Sequence, residues 1–254
     1  MIIGAQLYTL KKYTQDLDSF ADALARVADI GYTSVQVSGT CDFDPEWLKD
    51  QLKKNGLVCA VTHTKLSAMQ EDPAKVCENH KTFDCRRIGL GAMPNFQHDD
   101  DYVRAFLKGL HPIVDAFRAN GCKFFYHNHQ IDFNRGKDGR TYLEWMLEEF
   151  PPEDLGIIFD TYWAAFSGVI PDDFMRGYLR DRLEVIHLKD MVIDVKEQRF
   201  APVGSGNLNF DRILEAAADL GTEYLLVEQD RCYEEDPFDC LKKSYDFLKS
   251  KGLH

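Results

Sequence analysis

The sequence predicts an α/β protein: a single (β/α)8 TIM barrel over residues 1–254. Three observations carry this. Eight short apolar or β-branched runs alternate with eight amphipathic helical segments. The stretch after the first run, QLYTLKKYT, lacks the glycines with which an open, doubly wound sheet cradles phosphate. Polar, chemistry-bearing residues gather at the C-terminal ends of the later runs, the end where barrels carry their sites.

Taken in order, the strands are expected at 2–8, 34–37, 58–63, 87–90, 123–129, 156–160, 184–188 and 224–228. Helices are expected at 17–30, 45–55, 72–83, 99–120, 141–149, 171–179, 210–220 and 237–251. The first helical segment, LDSFADALARVADI, sets Leu17, Phe20, Leu24 and Val27 on one face. Prolines 45, 73, 171 and 237 stand near helix starts, where a missing N–H costs nothing. Gly31 and Gly56 follow the first two helices, where a left-handed residue closes the last turn. Phe124, Ile157, Ile186 and Leu225 are the expected helix-facing strand residues. No linker or composition break divides the chain.

Composition narrows the function. Hydrophobic residues at 44% and charged residues at 28% are ordinary for a globular protein. No apolar run reaches the ~20 residues of a membrane span. The opening MIIGAQLYTL lacks the pattern of a secretory signal. A net charge of −12 repels phosphate backbones, so no nucleic-acid partner is expected unless a local basic or metal site overrides it. The seven cysteines are scattered, with no CxxC pair, and read as reduced thiols of a cytoplasmic protein.

The strand ends supply the chemistry. His63 ends the third strand, His127-Asn128-His129 the fifth, and Asp160 the sixth. His187, Lys189 and Asp190 follow on the seventh, and Glu228, Gln229 and Asp230 on the eighth. A lone histidine at a strand end is more often structural, and an aspartate there is often a helix cap. Four residues of ligand type on four consecutive strands are another matter: His127, Asp160, His187 and Glu228 are expected to hold one divalent ion. Two imidazoles and two carboxylates suit Mn²⁺, Co²⁺, Zn²⁺ or Fe²⁺ better than Ca²⁺; Mg²⁺ stays open. Period-two alternation puts His127 with His129, and His187 with Lys189, on one face. Trp163 reads as an apolar wall for a sugar ring or as core. Gln6 is expected to face inward, His63 to touch substrate, and Asp190 to contact substrate, orient a ligand or cap a loop. Gly204-Ser205-Gly206 fits no nucleotide-binding spacing and reads as a tight turn. Arg86-Arg87 falls at the N-terminal face, away from the chemistry, and Glu148-Glu149 and Glu234-Glu235 read as solvated. Connections on the site face look short, which suits a small substrate.

The motifs YHNHQIDF (126–133), FDTYWAAFSG (159–168), VIHLKDM (185–191), VGSGNLNF (203–210), LLVEQD (225–230) and SYDFLK (244–249) resemble the xylose isomerase-like (β/α)8 barrels over essentially the whole chain. That group holds sugar isomerases and epimerases, inosose isomerases and dehydratases, and metal-dependent AP endonucleases. The resemblance implies a metal site on His127, Asp160, His187 and Glu228. Within it Glu228 reads as the catalytic base, His129 as a catalytic proton donor or a residue that orients substrate or ligand, and Lys189 as a catalytic oxyanion contact, a substrate-hydroxyl contact or a surface lysine. It implies proton transfer next to a carbonyl, through an enediolate. First in rank stands an isomerase or epimerase of a ketose, inosose or sugar phosphate. A carbon–oxygen lyase or dehydratase on a keto-sugar, inosose or 3-keto-glycoside is the alternative, and a non-catalytic sugar-binding barrel the third reading. The partner implied is a small carbohydrate, with self-association left open. Two positions depart from the pattern. Family epimerases place a glutamate where this chain has His127, and Asp132 stands where an HNHxxEF-like signature has Glu.

Overall fold

The computed structural model describes residues 1–95 and 99–253. Its strands are β1 (Ile2–Gln6), β2 (Ser34–Val37), β3 (Val58–His63), β4 (Arg87–Leu90), β5 (Lys123–His127), β6 (Leu155–Asp160), β7 (Val185–Leu188), β8 (Asp190–Asp194), β9 (Glu197–Ala201) and β10 (Tyr224–Val227). Its α-helices are α1 (Leu17–Ile30), α2 (Pro45–Asn55), α3 (Leu66–Glu71), α4 (Pro73–Thr82), α5 (Asp100–Ala119), α6 (Tyr142–Glu149), α7 (Thr161–Phe166), α8 (Pro171–Tyr178), α9 (Phe210–Asp219) and α10 (Pro237–Ser250). Short 3-10 helices run over Leu7–Tyr13 and Gln130–Phe133. The barrel closes in the order β1-β10-β7-β6-β5-β4-β3-β2, every pair parallel. The expected barrel is therefore the observed one.

Capping sets where helices begin. Asp16, Asp44, Asp72, Asp99, Thr141, Asn209 and Asp236 each accept a backbone N–H of the first turn of the helix that follows. Alternation along the strands then sorts the core into two bodies. Phe124, Ile157, Ile186 and Leu225 point outward to the helices, as expected, within the main apolar cluster. Ala60, Val61, Phe125, Ile158, Val185, Tyr224 and Leu226 fill the barrel interior, with Ile2 against them. Gly156 makes that filling possible, because a Cβ there would collide with the Phe125 ring. Below this plug, Arg87 pairs with Glu184 at 2.8 Å and with Glu223, and Lys123 reaches Glu184 at 2.9 Å. The N-terminal mouth, the face where the sequence placed Arg87, is tied by charge, and the opposite mouth is left for chemistry.

The differences from expectation lie at the site face. Strand one stops at Gln6, not Tyr8, because the Gln6 side chain accepts from Tyr8 N at 2.9 Å and starts a 3-10 turn. Strand five stops at His127, not His129, because Asp132 captures His129 N at 2.7 Å and turns the chain. The helix expected at 72–83 is preceded by α3, and α7 springs directly from Asp160. The short connections expected there fail after β7, where β8 and β9 form an antiparallel hairpin.

Two outcomes follow for stability. Gly156→Ala should cost about 1–3 kcal/mol in denaturant unfolding through overpacking against Phe125. His80 on α4 faces Val76 O from Nδ1 at 2.7 Å and Thr62 Oγ1 from Nε2 at 2.8 Å. Burial pushes its pKa down to about 4. The unfolded chain protonates this residue near ~6.5, so its share of stability is complete above that pH and is lost as pH falls toward the folded value. Between about pH 7 and 4.5 the native chain should lose roughly 2–3 kcal/mol more than His80→Gln.

Candidate active site

The C-terminal ends of β5, β6, β7 and β10 bring His127, Asp160, His187 and Glu228 together, all buried. Strand register does this directly: Asp160 pairs with His187 across β6 and β7. One ligand-type atom from each of the four lies within 4.8 Å of the others. Asp160 is the hub. Its Oδ1 accepts from Trp163 N at 3.0 Å, and its Oδ2 stands 3.2 Å from His127 Nε2, 3.8 Å from His187 Nδ1 and 3.3 Å from Lys189 Nζ. Glu228 Oε2 lies 3.0 Å from His187 Nδ1 and 3.1 Å from Lys189 Nζ. Asp230 Oδ1 meets the same ammonium at 2.8 Å.

The outer partners of the imidazoles decide their tautomers. His127 Nδ1 sits 2.9 Å from Gly91 O, and His187 Nε2 sits 2.5 Å from Gln36 Oε1. Both oxygens only accept, so those outer nitrogens carry protons, and the inward nitrogens, His127 Nε2 and His187 Nδ1, are the ones a cation would engage. Burial would lower the His187 pKa, but Glu228 and Asp160 outweigh it and hold it above the usual histidine value. The inward Nδ1 of His187 is buried without an aligned hydrogen bond. The inward ring nitrogens and the carboxylate oxygens therefore converge on one point. Three carboxylates (Asp160, Glu228, Asp230) face one ammonium (Lys189), an excess of acidic groups that the neighbouring imidazoles help to offset. A divalent cation fits this donor set in charge and ligand type, and Gly91 O and Gln36 hold the two imidazoles in the orientation it would need.

Charge and burial set the protonation of the rest. Burial alone would strip the Lys189 proton, but Asp160, Glu228 and Asp230 outweigh it and hold its pKa above the usual lysine value. Burial would likewise raise Asp160 and Glu228; Lys189 and the neighbouring imidazoles reverse that and hold both below the carboxylate range. His129 is pushed down to about 3 by burial and the adjacent His127 and Lys189. His63 is pushed well below its usual value by burial and the nearby histidines. Both rings stand neutral.

The remaining sequence-predicted residues divide. The His129 ring lies 4.7 Å from His127 and 5.4 Å from Trp163, although the strand has ended. Lys189, one residue past β7, still reaches inward. Its Nζ is 5.2 Å from the Trp163 ring and 5.3 Å from Phe200 of β9, so an aromatic wall flanks the ammonium. His63 is in ring contact with His127 at 5.1 Å and His187 at 5.8 Å, its Nδ1 3.1 Å from Ser38 Oγ. Gln6 is buried at the mouth, its Nε2 without a partner.

Asp190 is the exception. Its carboxylate does not face the cluster; it accepts Met191 N at 2.8 Å, Gly204 N at 3.0 Å, Gly206 N at 2.8 Å and Leu208 N at 3.2 Å. Of its expected roles, the loop cap is the observed one. The Gly204-Ser205-Gly206 turn wraps this carboxylate, and a Cβ on Gly206 would strike it. Sequence reasoning gave no role to Gln36, Asp132 or Asp230. Alternation in SVQV, which turns Ser34 and Gln36 inward, was the available signal for Gln36. Asp132, in place of the expected Glu, is buried, accepts Tyr126 Oη–H at 2.7 Å as well as His129 N, and is pushed up to about 7 by burial.

A closed parallel barrel with a buried, ligand-type cluster at its C-terminal mouth defines an α/β barrel of enzyme architecture. The chain belongs to the xylose isomerase-like TIM barrel family, whose profile matches residues 24–251. It is 27% identical over 162 residues to an inosose dehydratase of Bacillus cereus (strain AH820), covering 57% of this chain and 53% of that protein. The chain thus spans about half the length of that relative in the match. Among solved structures, a sugar phosphate isomerase/epimerase from Parabacteroides distasonis ATCC 8503 superposes with a TM-score of 0.82 at 21% identity, covering 98% of this chain and 93% of that one. The probable 3-DHS dehydratase of petrobactin synthesis from Bacillus anthracis superposes with a TM-score of 0.71 at 15% identity, covering 98% and 99%. These superpositions establish the shared fold. Among the described residues, no helix is long and apolar enough to cross a membrane.

Gln36→Leu should leave the fold intact by circular dichroism and weaken Mn²⁺ affinity about 10–100-fold in titration calorimetry, because His187 loses the partner that sets its tautomer. Asp190→Ala should cost about 2–4 kcal/mol in denaturant unfolding and speed amide exchange at Gly204, Gly206 and Leu208.

Proposed function

We propose that this chain is a divalent-metal-dependent carbon–oxygen lyase acting on a keto-polyol or keto-sugar, removing the proton next to a carbonyl and expelling an oxygen substituent from the adjoining carbon. The observation that carries this reading is the asymmetry of the site. Glu228 is a buried carboxylate poised as base, whereas the position where the resembled epimerases place a second carboxylate holds His127. Asp160 is engaged by Trp163 N, and Lys189 lies between Glu228 and Asp230. Epimerisation through two carboxylates needs a base on each face; elimination needs one base and one donor for the departing oxygen. The inosose dehydratase name of the B. cereus relative points the same way.

Each residue then has a task. Glu228, ionised, takes the proton. Lys189, 3.1 Å from Glu228 Oε2, stays an ammonium and offers a hydrogen bond to oxygen that gains charge. His129, neutral, orients a hydroxyl. Trp163 and Phe200 give the C–H face of a sugar ring an apolar wall. His127, Asp160, His187 and Glu228 would hold the ion, which would supply Lewis-acid polarisation of the carbonyl. Isomerisation or epimerisation is the second reading, favoured by the closeness of Lys189 to the base, which allows a proton to return to the neighbouring carbon.

The test is turnover of an inosose in D₂O with Mn²⁺-loaded protein, followed by NMR. The lyase reading expects loss of water without accumulation of a deuterated isomer, and a drop of about 10²–10⁴-fold in Glu228→Gln. Deuterated isomer without elimination would replace it with the isomerase reading.

A further inference from the structure

The seven cysteines are scattered along the sequence, yet the fold seats six of them in three thiol–thiol hydrogen bonds: Cys59 with Cys85, Cys77 with Cys122, and Cys232 with Cys240. All six are free thiols. In the first two pairs both residues are buried. In the third, Cys240 is buried, but Cys232 is half-buried and lines two cavities, of about 450 and 690 Å³. This pair also stands next to the chemistry. Cys232 lies two residues past Asp230, whose Oδ1 meets Lys189 Nζ at 2.8 Å and whose carbonyl accepts from Lys11 Nζ at 3.2 Å. The hydroxyl of Tyr233 accepts Phe200 N at 3.1 Å and ties the β8–β9 hairpin to the same connection. Cys240 sits in the first turn of α10, which Asp236 caps. The connection between β10 and α10 thus carries groups of the site at one end and meets a dithiol at the other.

We infer that Cys232 and Cys240 are a reversible oxidation site: a low-molecular-weight disulfide converts them to an intramolecular disulfide that fastens the site-bearing connection to α10. An accessible thiol against a buried one is the arrangement of an attacking and a resolving cysteine. The Cys232 thiol donates to the Cys240 sulfur, and this bond holds the Cys232 thiol above its ordinary range and the Cys240 thiol below it. Passing that proton to Cys240 leaves Cys232 as the attacking thiolate. Cys232 bonds to one sulfur of the external disulfide and expels the other as a thiolate. Cys240 then gives up its proton, bonds to the Cys232 sulfur and expels the second thiolate. The two protein S–H protons end on the two released thiols; the protein loses two electrons and the external disulfide gains them. The two sulfurs already face each other, so bonding needs an approach of only about 1–2 Å. The connection is locked where it stands, with Asp230 at Lys189 and Tyr233 at Phe200.

The experiment treats the full chain with glutathione disulfide, blocks the remaining thiols, maps the products by peptide mass, and follows amide exchange before and after. A Cys232–Cys240 disulfide should form at least about 10-fold faster than a bond in either buried pair. The chain should then hold two thiols fewer than its seven, and dithiothreitol should restore them. Exchange at the Phe200 amide should slow about 10-fold in the oxidised chain, because its acceptor on Tyr233 is held in place. In Cys232→Ser the same treatment should leave Phe200 exchange unchanged; mapping of the native chain decides the matter if that variant does not fold. No internal bond, glutathione retained on Cys232 without closure, or a first disulfide at Cys59–Cys85 or Cys77–Cys122 overturns the inference. So does a Cys232–Cys240 bond that leaves Phe200 exchange as it was.

Discussion

Asp160 is fully buried, and the geometry of the site follows from what makes its charge tolerable there. An isolated carboxylate in an apolar interior would take up a proton. Here one oxygen accepts the first-turn N–H of α7, and the other faces two imidazoles and an ammonium. Each of those neighbours is fixed in turn. Gly91 O orients His127, Gln36 orients His187, and Glu228 and Asp230 restrain Lys189. The same ring nitrogens that compensate the aspartate are the ones a cation would engage in its place, so structural need and metal-binding capacity share one cause.

The scaffold is arranged to protect this charge cluster. The interior plug of Phe125, Ile158, Val185 and Leu226 lies beneath it and keeps solvent from entering along the barrel axis. Ion pairs of Arg87, Lys123, Glu184 and Glu223 tie the far mouth. On the site face, Asp190 gathers four backbone N–H groups and so roots the hairpin that brings Phe200 over Lys189. Asp190 thus fixes the base of the connection between β7 and α9.

Much of this was legible in the sequence, for physical reasons that can be named. Strand–helix alternation is a local pattern, and it placed every barrel strand. The ligand-type cluster was legible because parallel barrel strands all end at one mouth, so His127, Asp160, His187 and Glu228 could be grouped without knowing a distance. What stayed hidden depends on side chains competing for the backbone. Gln6 capping Tyr8 and Asp132 capping His129 end two strands early, and neither residue advertises that choice. Asp190 looked like its neighbours His187 and Lys189, yet the turn at 204–206 closes around it and removes it from the site. Asp230 acquires meaning only from Lys189, 41 positions away in the sequence.

The central claim is that the four strand-end residues form a divalent-cation site, and metal content tests it most directly. Native protein and Asp160→Ala, both shown folded by circular dichroism, are dialysed against Mn²⁺, freed of excess, and counted by elemental analysis. The account predicts about one ion per native chain and essentially none in the variant. A folded native chain that retains no ion, or a variant that retains as much as the native chain, would contradict it.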